Sequence, residues 1–97
     1  MKTVLKWTIP VDDEWHPVGA GPVLHVASQF GKISEVQVWT EEVYETRSES
    51  ITSATVIGTG HSVPDDADPL GSVVTSGGHL VWHVYRSSAP RPRSLPL

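Results

Sequence analysis

Apolar and polar residues alternate along most of this chain with a period of two, the spacing of a β-strand. The pattern is densest near the end, in Leu70-Gly-Ser-Val-Val-Thr75-Ser-Gly-Gly-His79-Leu-Val-Trp-His83-Val-Tyr-Arg86. Two β-rich runs flank Gly77-Gly78 there, and paired glycines accept the positive φ angles of a tight hairpin turn. In the second run Leu80, Trp82 and Val84 point to one face, and Val81, His83 and Tyr85 to the other. A strand with apolar groups on both faces belongs inside a sheet or barrel, covered on both sides. On that alternation Trp82 is core, and its truncation to alanine is expected to cost about 3–5 kcal/mol.

The remaining segments repeat the pattern. Leu5, Trp7 and Ile9 alternate with Lys6 and Thr8 in a first strand ended by Pro10. Residues 23–30 form a second, with Leu24, Val26 and Phe30 on one face and Val23, His25 and Ala27 opposite. Gly31-Lys32 turns it back into a strand over 33–40, where Val36 and Val38 oppose Gln37 and Trp39. Residues 41–53, rich in Glu, Ser and Thr, predict a long hairpin loop or a pair of edge extensions. A strand over 54–59 follows, and Gly58 and Gly60 mark a bulge or close packing near its end. No segment carries a long helical apolar stripe. The expectation is an all-β fold, a small antiparallel barrel or sandwich of five to six strands. Residues 1–87 would form one domain and 88–97 an extended tail rich in Pro and Arg.

Composition narrows this picture. The 97 residues include no cysteine, which removes disulfides and thiolate metal ligands and leans towards a reducing compartment. No run approaches the roughly 20 apolar residues of a membrane span. The first ten residues read as a strand rather than a signal peptide. Seven basic residues stand against eleven acidic ones, and every acidic residue lies at or before Asp68, whereas Arg86, Arg91 and Arg93 close the chain. An acidic body repels phosphate backbones, so nucleic acid is not an expected partner.

Five histidines, His16, His25, His61, His79 and His83, raise the question of a metal. Zinc requires three or four ligands about 2 Å from one point. His79 and His83 share a strand face but stand roughly 13 Å apart, and no recognised ligand spacing is present. Structural or surface histidines are the preferred reading, with no metal and no cofactor expected. Val56-Ile-Gly-Thr-Gly-His61 places Thr59 and His61 beside glycines that let backbone N–H groups approach an anion. It lacks the remaining features of a dinucleotide loop or P-loop, and a glycine-packed strand end is the simpler reading. Asp65-Asp66-Ala-Asp68 lacks the EF-hand ligand pattern and reads as a solvated turn. No nucleophile elbow appears, so no catalytic residues are assigned. Trp15, in a loop between Glu14 and His16, is a candidate interface anchor, and Arg91 and Arg93 among prolines suggest a docking segment.

His25-Val-Ala-Ser-Gln29, Val38-Trp39, Val56-Ile-Gly-Thr-Gly-His61, Leu70-Gly-Ser-Val and Val81-Trp-His-Val-Tyr85 together resemble small uncharacterised proteins of actinobacterial phages and prophages. The resemblance runs from about Lys6 to Arg86. It implies a phage accessory factor in the host cytoplasm, with no family activity to carry over, and it raises His61, His83 and His25 as a shared site. The expected function is a non-enzymatic β module that binds a host or phage protein, or itself as a homo-oligomer. Two alternatives remain: a small-ligand or nucleotide-binding anti-defence protein with a pocket lined by His25, His61 and His83, and a virion decoration protein.

Overall fold

A computed structural model describes residues 1–43, 52–75, 77–78 and 80–88. It contains seven strands and no helix among them: β1 (Lys2–Pro10), β2 (His16–Pro17), β3 (Val23–Ala27), β4 (Glu35–Val43), β5 (Ser53–Gly58), β6 (Asp68–Val74) and β7 (Val81–Ser87). They form two antiparallel sheets, ordered β1-β4-β3 and β2-β5-β7-β6. β3 packs against β6 and β1 against β5, so the sheets stack face to face without closing into a barrel. The sandwich member of the expected pair is the one observed. The strand beyond the expected six is the two-residue β2, too short to leave an alternation in the sequence. The Pro/Arg tail from residue 89 onward, with Arg91 and Arg93, lies outside the described residues, as do His79 and residues 44–51.

The core is built by alternation from four central strands. Ile9 on β1, Val36 and Val38 on β4, Ala54 and Val56 on β5 and Val84 on β7 are buried between the sheets. Val36 pairs with Ile9 and Val38 with Trp7, which brings the inward sides of β1 and β4 into register. Thr40 continues this inward row and is fully buried. Its Oγ1 accepts the Trp7 indole N–H at 2.8 Å, so the largest ring near the core carries its donor to a partner. At the same end of the molecule Arg86 donates to the carbonyls of Gly19 and Gly21 at 2.9 and 2.8 Å. The backbone N–H of Gly21 in turn donates to Glu42 Oε2, and the Glu41 N–H to the Pro22 carbonyl. The 18–22 loop therefore ties β7 of one sheet to β4 of the other. Glycine is required in it, because a Cβ at Gly21 would collide with the Glu41 carbonyl oxygen.

Two register shifts depart from simple alternation. Val23 pairs with Thr40 and His25 with Trp39, which makes Leu24 an extra residue in β3. Leu24 is pushed out and half exposed, while Val23 and Val26 share the inward side. The expected common face of Leu24, Val26 and Phe30, opposite Val23, is thus corrected: Val26 shares the inward side with Val23, and Phe30 is exposed beyond the strand end. A second shift, between Pro69 and Gly71, interrupts β6. The glycine turns behave as expected: Gly31 has φ 69°, and Gly77 and Gly78 have φ 89° and 71°.

β7 lies inside its sheet as expected, but its outward face is only half covered. Trp82 is half-buried at the end of the sandwich, where its indole N–H donates to the Ile33 carbonyl at 3.2 Å. Ile9, with no exposure at all, is the better core probe. Ile9→Ala should lower the unfolding free energy by about 2–5 kcal/mol in urea denaturation, and Trp82→Ala by less than its full-burial value of about 3–5 kcal/mol. Thr40→Val conserves shape but strands the Trp7 N–H, and should cost about 1–3 kcal/mol in the same measurement.

Candidate functional site

β5 and β6 both run antiparallel to β7, so they are parallel to each other on either side of it. β5 ends beside Trp82 and β6 begins beside Arg86, so the connection between them must travel back along the length of the sheet. It does so over the outward face. Thr55 and Ile57 stand opposite Tyr85 and His83 on the side away from the core, and Ser62 and Pro64 of the connection face them across a cavity of about 430 Å³. Asp13 and Trp15 of the β1–β2 loop close another side, with Gly58 and His61 at the strand end. Gly58 fits because of close packing: a Cβ there would meet His61 Cδ2 and Trp82 Cζ3 at 3.3 Å each.

The β1–β2 wall is rigidly held. Asp12 Oδ1 accepts the Glu14 N–H at 3.1 Å and lies 2.8 Å from His16 Nε2. A carboxylate accepts only, so the proton of that contact sits on Nε2. His16 is buried, and Thr55 Oγ1 donates to the Glu14 carbonyl at 2.7 Å. The Val11 N–H donates to the Ser34 carbonyl at the start of the loop. Between these ties Asp13 takes a left-handed conformation, φ 62°, the one non-glycine residue among those described with positive φ.

The histidines differ in what their rings are doing. His83 Nδ1 lies 2.7 Å from Ser72 Oγ, and its Nε2 lies 2.9 Å from Thr59 Oγ1. Both nitrogens are engaged by hydroxyls, so Thr59 and His83 clamp the start of the connection onto β6 and β7. His25 stands on the outward face of the other sheet, its ring 5.5 Å from that of Trp39 and tilted 43° to it. His61 is exposed at the cavity, and no side-chain hydrogen bond engages its ring among the described residues. The structure brings Trp15 and His61 to one cavity, with Thr59 and His83 beside it. It does not bring His25 there, because two sheets and the core between them intervene. The three-histidine pocket therefore does not form within one chain, since burial of Val38 and Val84 orients His25 and His83 to opposite sides of the sandwich. Among the described residues no group of three His, Cys, Asp or Glu side chains is arranged to hold a metal ion.

Asp13 and Ser62 are site residues that the sequence reading did not single out. The only available signal was Asp-Asp-Glu beside Trp15, which is indistinguishable by composition from a solvated turn.

A family model described as a domain of unknown function (DUF7352) matches residues 1–94. The chain belongs to that family. The match takes in both sheets, so the sandwich with its crossing connection is the family's unit in this chain. No curated protein and no solved structure matches it. The family description carries no activity, and the chemistry of this DUF7352 domain has to be read from its side chains.

Brief treatment with diethylpyrocarbonate checks the ring assignments. Exposed His25 and His61 should be acylated first, and His16 and His83 slowly, as read by peptide mass spectrometry. Rapid modification of His83 would show that its two hydroxyl contacts do not persist in solution.

Proposed function

We propose that this domain is a non-enzymatic interaction module, and that it engages another protein by strand addition along β1. The observation that carries this reading is the contrast among the four sheet edges. β2 is two residues long, β3 is bulged at Leu24, and β6 contains Pro69 and a register shift. Each is a device that discourages edge pairing. β1 has no bulge or register shift, and its one proline, Pro10, is its last residue. Its nine residues pair with β4 in unbroken register, and no strand lies on its other side among the described residues. Val4 and Leu5, at its middle, are both exposed. A long regular edge with apolar side chains is a template for an extended partner.

The charges on β1 favour a different chain over a second copy. Lys2 and Lys6 share its outward face. An antiparallel copy centred on Val4 would set Lys2 opposite Lys6, and one centred on Lys6 would set that residue against itself. Like charges directly opposite one another destabilise a strand pair. A strand with acidic residues at alternate positions suits the same face. The resemblance to actinobacterial phage proteins is the ground for reading the module as a phage accessory factor acting in the host cytoplasm on a host or phage protein.

Proline substitution gives a direct test. In an antiparallel strand successive N–H groups point to opposite sides, so one of Val4 and Leu5 donates to β4 and the other faces the open edge. Of Val4→Pro and Leu5→Pro, one should destabilise the domain and the other should leave melting nearly unchanged. The second variant should lose any protein that the parent captures from an actinobacterial lysate. Retention of that protein by the stable variant would overturn the strand-edge reading.

A further inference from the structure

We infer that the cavity over the outward face of β5 is a binding site for a neutral polyhydroxylated ligand, of the class of a pyranose sugar. This stands apart from the β1 edge and does not depend on it.

Three polar side chains at one cavity lack a hydrogen-bond or ion-pair partner among the described residues: the Asp13 carboxylate, the His61 imidazole and the Ser62 hydroxyl. Every buried side-chain nitrogen or oxygen among the described residues has a partner, whereas these three side chains stand exposed at the cavity mouth. Around the cavity itself Thr55, Asp12 and His16 are all engaged in holding the walls. The open groups at the cavity mouth thus stand on a frame whose own polar groups are engaged. Asp13 is carried there in a sparsely populated backbone conformation, held by the Asp12 contacts on its two sides. Backbone strain maintained by surrounding contacts is a recurrent feature of ligand sites.

The chemistry of the set selects the ligand class. A carboxylate only accepts, whereas an imidazole and a hydroxyl each donate and accept. A matching ligand presents several O–H groups that do both, spread around a body small enough for about 430 Å³. Trp15 and Ile57 supply the apolar surface against which the C–H face of such a body packs. Among the described residues no lysine or arginine lines the cavity, and the chain is acidic, which disfavours phosphates and carboxylates. A bare cation would use Asp13 and Trp15 but leave His61 and Ser62 without a role.

The test uses the full chain and saturation-transfer NMR with methyl α-D-mannopyranoside, maltotriose and chitotriose, alongside choline and guanosine. At least one sugar should saturate the site. Trp15→Ala and Asp13→Asn should each weaken its binding by about tenfold or more. Asparagine tolerates the left-handed conformation, so Asp13→Asn should melt like the parent. His25→Ala, on the opposite side of the sandwich, should bind as the parent does. Saturation by choline or guanosine with none by the sugars would overturn the assignment of ligand class. No saturable binding by any probe, or sugar binding indifferent to both variants, would overturn the site.

Discussion

The arrangement of β7 between two strands that run the same way is the constraint on which the outward surface of this protein depends. Neighbouring antiparallel strands can be joined by a two-residue turn, but parallel ones need a connection that crosses the sheet. Residues 59–67 make that crossing without forming a helix. Such a segment has no ladder of its own to satisfy its polar groups, so it needs anchors. His83 supplies one by accepting and donating between Thr59 and Ser72, and the Gly58–His61 backbone turn supplies another. A cavity beneath the crossing follows from the same geometry, because a strap over a twisted, pleated face cannot touch it everywhere.

The inner surface is governed by small side chains. Valine dominates the buried set, so the core is thin and leaves large rings little room between the sheets. Trp7 and Trp82 accordingly sit at its margin, each with its indole N–H directed to an oxygen, Thr40 Oγ1 in one case and the Ile33 carbonyl in the other. A thin core gives a modest stability margin in a chain of this size. The polar ties between sheets then carry weight, above all Arg86, whose guanidinium holds a loop that also bonds to β4.

Much of this was legible in the sequence. Alternation placed Trp7 with Ile9 and Val36 with Val38, and the glycine pair marked the last hairpin, because these features depend only on neighbours along the chain. The bulge at Leu24 was not legible: β3 alternates without fault when read alone, and the extra residue is visible only against β4. The three histidines failed to converge for a related reason. Alternation assigns His25 and His83 each to the face opposite a core valine, but which sheet holds each strand is a property of the pairing. Asp13 was hidden because its conformation depends on Asp12 and His16 closing around it.

Which groups are engaged decides what the surface can do. His16, Gln37, Thr40, His83 and Arg86 carry much of the polar chemistry of the chain, and each is committed to holding the fold. Gln37 shows this clearly: it is fully buried away from the core, accepting from the Gln29 N–H and donating to Glu35, and so fixes the β3–β4 turn. Residues so engaged cannot also bind a ligand without loosening the structure they support. Function must therefore rest on what remains open. The two surfaces proposed above, the unpaired side of β1 and the open side chains of Asp13, His61 and Ser62, meet that condition among the described residues, and β1 leads directly through Pro10 into the loop that carries Asp13 and Trp15. The two surfaces are built on one continuous stretch of chain, so the regular pairing of β1 with β4 that leaves its far edge open also sets the position of the cavity wall.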